Sequence, residues 1–397
     1  RLQALFDQFR PPIEEAGPST FMQSRLDAKY LIARLGGDEF AVYVTMADRE
    51  QDGSMIAKAV LKSLADPFVL SGVDVIVGTS IGLARSPVDG DSYATLIRHA
   101  DMAMYEAKRA GKNTFRHFDP SIAASINNAA EIRRDIPRAL QLDQFELHYQ
   151  PRFHAASKQV RCMEALLRWN HPKDGQRLPG AFLDAIESTD AIIDIDHWVL
   201  RNALAQLTEW SGDHPDLALS INMSTRQLID SRMADQVIEL VHEAGIDPSR
   251  IELEVTEHAV LSNEKTARMV IERLHDVGLK IAIDDFGQGY SNYARFAELP
   301  VDVIKIDRSL VSKLTEDPRV PMIVRSMITM ADGLQCTSVA EGIEELEQVA
   351  VLKELGCTEF QGYLFSKPLP AEDAKAWLSR AAAAIAEDGN VTLLRPA

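Results

Sequence analysis

"IAIDDFGQGYSN", residues 281–292, decides how the longer half of this chain is read. Three residues of apolar strand character run into two adjacent aspartates, Asp284 and Asp285, and then into a loop with glycines on either side of Gln288. Asp and Gly are ordinary turn residues, so a single tip of this kind says only that a strand surfaces there. The motif gains weight only if the two aspartates have company.

From residue 145 onward the chain alternates regularly. The apolar runs "FELHYQP", "QVRCMEALLRW", "LALSINMS", "IELEVTE", "LKIAIDDF", "VDVIKIDRS", "TSVAEG" and "EFQGYLFSKP" are mostly followed by longer stretches of helical periodicity, such as "TARMVIERLHDVG" and "ELEQVAVLKELG", which end at glycine. Eight strand candidates separated mostly by helices predict an α/β fold, a TIM-like (β/α)8 barrel over residues 139–397.

In such a barrel the reacting groups come from the C-terminal ends of the strands. Standing there are Glu164, Asn222, Glu254, Asp284 with Asp285, Lys305, Glu341 and Gln361, each after apolar neighbours. Turn chemistry explains one or two of these, but not a convergent ring. Carboxylates crowded together repel unless positive charge lies among them. Oxygen-rich sites of this kind suit Mg²⁺ or Mn²⁺, with Asn222 as a neutral ligand. Two ions roughly 3.5–4 Å apart would share a bridging carboxylate, for which Asp284 is placed, while Asp285 serves the second ion. The plainer alternative is a set of buried ion pairs centred on Lys305, which a single lysine would leave far from neutral.

These residues carry a resemblance. Residues 140–380 are similar to the EAL family of cyclic di-GMP phosphodiesterases, whose tripeptide stands here as Glu164, Ala165 and Leu166 in "MEALLRWNHP". The resemblance implies that Glu164, Asn222, Glu254 and Asp284 hold a first metal and that Asp285 and Glu341 lie on the side of a second. It implies that Lys305 orients the attacking water and that Glu341 is a candidate general base. Gln150 in "HYQP", Arg168 in "LLRW" and Gln361 then face the substrate, Arg168 through a fork suited to a phosphodiester. Glu257 matches a glutamate that anchors the loop after the paired aspartates. Gln288, Asn292 and Asp190 depart from the family's usual residues without touching the expected metal ring.

Residues 1–118 mix helix and strand. "YLIARLGGDEFAVYV" reads as a Gly-Gly hairpin, "GVDVIVGTSIGLA" as a second strand region, and "SYATLIRHADMAMYEAKRAG" as an amphipathic helix stopped at Gly111. A polar helical connector follows over 119–138. "RLGGDEF", "TSIGLA" and "ADMAMYEAKRAGKN" together resemble the GGDEF diguanylate cyclase family, with Gly36 and Gly37 at the nucleotide turn, Asp38 and Glu39 as metal and catalytic acids, and Lys108 on a phosphate. The family's opening strand is missing, an irregular insertion "PPIEEAGPSTFMQS" precedes the hairpin, and Asp27 and Tyr30 stand where an Arg-x-x-Asp motif would be. The expectation is an N-terminally incomplete GGDEF-like domain with a regulatory role, binding GTP if at all.

The totals agree with two well-filled domains: 397 residues, 46% hydrophobic and 25% charged. A net charge of -17 disfavours a duplex-binding surface. Cys162, Cys336 and Cys357 are odd in number and lack metal-type spacing, so they read as reduced buried thiols of a bacterial cytoplasmic protein. No run is long enough for a membrane span and "RLQALFDQFR" reads as an amphipathic helix, although an upstream sensor or membrane region is compatible with this start. The expected activity is hydrolysis of cyclic di-GMP to linear pGpG with two Mg²⁺ or Mn²⁺ ions, in a homodimer paired through the barrel. The rival expectations are a non-catalytic cyclic di-GMP receptor and a bifunctional cyclase/phosphodiesterase.

Overall fold

A computed structural model describes residues 30–45, 53–70, 72–287 and 298–388, with side chains as far as Ala381 in the last helix. The expected first helix, the insertion, Asp27, and positions 288–292 of the opening motif lie outside those residues. The chain divides into two compact units, Arg1–Ala130 and Glu131–Ala397.

In the first unit, strands Tyr30–Gly36 and Glu39–Val44 form an antiparallel hairpin whose turn needs Gly37 at φ 52. The region "GVDVIVGTSIGLA" is two short strands rather than one. Val73–Val75 pairs with Phe68–Leu70, and Ile81–Leu83 runs parallel to Phe115–His117. Helix Tyr93–Arg109, capped by Ser92, lies so close to Ile81–Leu83 that a Cβ on Gly82 would meet the Ala100 carbonyl oxygen at 1.8 Å. Its buried residues, Ala103 and Ala107, are correspondingly small.

Helix Pro120–Gln141 covers the predicted connector and continues past it, burying Ile132, Ile136 and Ala139 in its last turns. The second unit is a closed barrel of β1 (Phe145–His154), β2 (Val160–His171), β3 (Ala218–Asn222), β4 (Ile251–Thr256), β5 (Lys280–Phe286), β6 (Val303–Ile306), β7 (Thr337–Ala340) and β8 (Glu359–Gln361). All eight predicted strands are present. They close the expected TIM-like barrel with one variation at its first member: β1 runs antiparallel to both β2 and β8, and the other neighbours are parallel. Residues 155–159 alone join β1 to β2, whereas a parallel crossover takes roughly a dozen residues. A hairpin is therefore the only connection available.

Outside the strands, α1 (Ala191–Trp210) shows how the helices cover the barrel. It buries Ile192, Ile195, Val199, Leu200, Ala203, Leu204, Leu207 and Trp210, the three-and-four spacing of a single helical stripe. Each large apolar side chain so buried contributes about 1.5–3 kcal/mol. Among the described residues no helix is long and apolar enough to cross a membrane, and all three cysteines are free and buried.

Because side chains alternate along a strand, the barrel interior is built in two layers set two residues apart. Ala282, Val303 and Val339 pack together in the lower layer, which also holds Arg152, Cys162, Ser220, Glu252 and Glu359. Two residues further along β2 to β8 come Glu164, Asn222, Glu254, Asp284, Lys305, Glu341 and Gln361, with Glu341 one step beyond its strand. In the antiparallel β1 the order reverses, and Gln150 stands level with Glu164 above Arg152.

Candidate active site

The upper layer converges on Lys305, whose side chain is 1% exposed. Its Nζ lies 2.6 Å from Glu341 Oε1, 2.7 Å from Glu254 Oε2, 3.4 Å from Asp284 Oδ1 and 3.8 Å from Glu164 Oε1. Burial opposes the lysine's charge, but the surrounding acids outweigh it and hold its pKa well above the usual value. The acids divide among themselves. Glu164 stays below the ordinary carboxylate range despite burial, through Lys305 and bonds from Gln361 and Asn222. Burial and the repulsion of Glu164 push Glu254 well up, and burial leads again in raising Glu341 to about 8.

Glu164 is fixed from two sides. Asn222 Nδ2 donates to its Oε1 at 3.0 Å, and Gln361 Nε2 donates to its Oε2. Gln361 in turn donates to Gln150 Oε1 at 3.1 Å, and Gln150 Nε2 donates to the Ser366 carbonyl at 3.0 Å. The two glutamines thus form a buried brace behind Glu164. Arg168, also buried, spends Nη1 on the Leu167 carbonyl at 2.8 Å.

The doubled aspartate works through a bulge. The β5–β6 register shifts between Ile283 and Phe286, and Asp285 takes φ 55, a left-handed conformation that Asp tolerates better than most residues. Adjacent strand residues ordinarily face opposite ways, but here both aspartates share one neighbourhood. Burial, then Asp284, then Asp307, which is hydrogen-bonded to it, raise Asp285 to about 6. Gly287 follows at φ 103, a backbone that favours glycine, and a Cβ there would come 2.1 Å from Met327 Cε, so that flexible side chain would have to move aside. Glu257 is buried at the first position of helix Glu257–Ser262, which Thr256 caps. The loop it was expected to anchor lies outside the described residues.

Among the described residues no three Asp, Glu, His or Cys side chains surround a point ready for an ion. The Lys305 ammonium occupies the place where the acids meet, as the plainer alternative required. The donor set nevertheless fits hard divalent ions. Four carboxylates share one ammonium, Asn222 adds a neutral oxygen, and the buried Glu254 Oε2 and Asp284 Oδ1 have no hydrogen-bond partner. Although Glu254 Oε2 is only 2.7 Å from Nζ, its geometry is not that of a hydrogen bond.

Sequence reasoning passed over the charged part of the lower layer. Arg152 pairs bidentately with Glu252 at 2.6 and 2.7 Å and sets Nε 2.6 Å from Glu359. The signal was present, because each of these residues lies two positions from a ring member. Asp307, beside Asp285, was also passed over. In the first unit Gly36, Gly37, Asp38 and Glu39 lie exposed on the hairpin turn and Lys108 is exposed in the last turn of its helix.

Fold and site together define an α/β barrel with an acidic, lysine-centred interior layer. The chain belongs to the EAL domain family, whose model matches residues 133–368, in tandem with a diguanylate cyclase, GGDEF domain matching residues 19–114. It is 35% identical over 356 residues to the bifunctional diguanylate cyclase/cyclic di-GMP phosphodiesterase MucR of Pseudomonas aeruginosa, covering 89% of this chain and 52% of the relative. It is 32% identical over 357 residues to the cyclic di-GMP phosphodiesterase PdeR of Escherichia coli, covering 90% and 54%. The chain thus spans about half the length of these curated relatives. A solved structure of the MucR phosphodiesterase in complex with c-di-GMP aligns with TM-score 0.60 and 36% identity, over 62% of this chain and 99% of that one.

Proposed function

We propose that the barrel hydrolyses one phosphodiester bond of cyclic di-GMP to give linear pGpG, with Mg²⁺ or Mn²⁺ as cofactor. The observation that carries this reading is the closed ring of Glu164, Asn222, Glu254, Asp284 and Glu341 in one interior layer, with more negative charge than Lys305 offsets. The likeness to MucR and PdeR supports the choice of substrate. Glu164, Asn222, Glu254 and Asp284 would hold one ion, and Asp285 with Glu341 a second. Such ions supply Lewis acidity toward the phosphodiester and the attacking water.

The chain's own groups do the rest. The Gln150–Gln361 brace fixes Glu164, and Lys305 restrains Glu254 and Glu341 through short charged contacts. Glu341, 2.6 Å from the Lys305 ammonium, is the candidate general base for the attacking water. Arg168 has guanidinium donors beyond the one given to Leu167, and these suit a phosphate oxygen. The exposed Gly36–Glu39 turn and Lys108 belong to a GGDEF unit to which we assign regulation, with GTP as its candidate ligand.

The test is turnover of cyclic di-GMP by the whole chain with Mg²⁺ or Mn²⁺, read by chromatography of pGpG, beside Glu164→Ala. Turnover abolished in the variant is the expected result. A wild-type chain that binds cyclic di-GMP but never cleaves it would favour a receptor instead.

A further inference from the structure

Three of the eight lower-layer residues are what a barrel core ordinarily contains: Ala282, Val303 and Val339 form an apolar cluster. Ser220, at the same level and 0% exposed, is different. A buried hydroxyl costs stability unless it is hydrogen-bonded, and this one has two acidic neighbours. Its Oγ lies 2.9 Å from Glu252 Oε1 in its own layer and 2.6 Å from Glu254 Oε1 in the layer above.

A hydroxyl carries one hydrogen, so it can donate to only one of the two carboxylates at a time. Glu252 already accepts two N–H bonds from Arg152, at 2.6 and 2.7 Å. Glu254 has far less. Its Oε2 lies near Lys305 without hydrogen-bonding geometry; the carboxyl also bonds with Glu164, and Ser220 donates to Oε1. The hydrogen is therefore worth most on Glu254. With the hydrogen there, Glu252 offers the Ser220 oxygen no donor, and the Arg152–Glu252 pair, ion-paired also to Glu359, only packs beside it.

We infer that Ser220 is a positioning residue for the metal site: by donating to Glu254 Oε1 it fixes that carboxylate in the orientation that a divalent ion requires. The inference rests on the reading of the ring given under Proposed function. A glutamate has several rotatable bonds, and an unsupported one loses orientation when a cation competes with Lys305 for it. Residues that orient metal ligands in this way typically change ion affinity about 10–100-fold when removed.

The test compares Ser220→Ala with Ser338→Ala in the full chain. Ser338 is an equally buried barrel serine, but its Oγ bonds to Thr358 at 3.1 Å and not to a ring acid. Both changes delete one oxygen atom, so a general cost of losing a buried hydroxyl appears in both. The readouts are Mn²⁺ affinity by calorimetry with MnCl₂ alone, and kcat and KM for cyclic di-GMP. Ser220→Ala should weaken Mn²⁺ binding about 10–100-fold and lower kcat at fixed subsaturating metal, with KM little changed. Ser338→Ala should stay near wild type. Equal Mn²⁺ affinity in Ser220→Ala and wild type overturns the inference, as does an equal loss in Ser338→Ala. A wild-type chain that takes up no Mn²⁺ sinks this inference and the metal reading together. If wild type takes up Mn²⁺ but never cleaves cyclic di-GMP, only the proposed activity falls, because the affinity comparison still decides the role of Ser220.

Discussion

Replacing Lys305 by Met removes the single positive charge at the centre of the ring while preserving most of the side-chain volume. Four carboxylates lie within 4 Å of Nζ by the distances above, and the lysine is 1% exposed. Taking one partner from a buried charge cluster costs about 3–5 kcal/mol. For a domain of this size that corresponds to a Tm lower by on the order of 10 °C. The loss should appear in thermal unfolding followed by far-UV circular dichroism in EDTA. It should deepen with rising pH. Without the ammonium the folded ring holds protons that the unfolded chain releases, and a folded pKa above the unfolded one gives stability that disappears as pH rises. Adding MgCl₂ should recover more in the variant than in wild type, because the acids then depend on the cation alone. Glu254→Gln, a neutral mimic of the acid that burial and Glu164 push well up, should cost little or stabilise the metal-free protein. Equal Tm for Lys305→Met and wild type in EDTA would refute the picture of a lysine-held acidic cluster.

Three other changes probe separate parts of the barrel. Arg152→Met strands Glu252 and Glu359 in the lower layer, so chemical denaturation should report a loss of about 3–5 kcal/mol; a double change of Arg152 and Glu252 to Met should cost less than the single one. Asp196 is raised to about 7, chiefly by burial against the opposing bond from Ser224. Its stabilising effect is complete below the ordinary carboxylate range and is lost as pH rises through about 7, so Asp196→Asn should be the more stable protein above that point, by up to about 4 kcal/mol. Parallel Tm–pH curves for the two proteins would contradict this. Gly287→Ala should cost about 1–3 kcal/mol through backbone strain and contact with Met327 Cε, and adding Met327→Ala should return only the contact part.

The eight strands were legible because apolar runs of strand length alternate with helical stripes, and that pattern depends only on which side of each element meets the core. The direction of β1 was equally open to reading, since residues 155–159 leave no room for a crossover, yet the regular alternation from β2 onward drew attention away from the gap. The ring was legible for a different reason. Polar residues following apolar ones at seven strand tips have no explanation in turn chemistry alone. The lower layer escaped notice because Arg152, Ser220, Glu252 and Glu359 are ordinary residues singly. They become a network only once Arg152 on β1 is brought beside Glu252 on β4 and Glu359 on β8, which closure of the barrel accomplishes and sequence order conceals. Charge arithmetic predicts a surplus of acids but does not say that Lys305 stands where they meet.

The two layers also place strain and surplus charge on the same side. In the lower layer Arg152 answers Glu252 with two bonds and Glu359 with a third contact, and apolar side chains fill the remaining space. In the upper layer one ammonium serves four acids, Asp285 adopts a left-handed backbone at a bulge, and Asn222 is exposed. Such features lower stability and persist only where the surrounding fold over-determines them. A balanced, closely packed floor is what allows that. It holds Glu254 from below through Ser220, so that the proposed cation would relieve the unbalanced charge above without rearranging the strands.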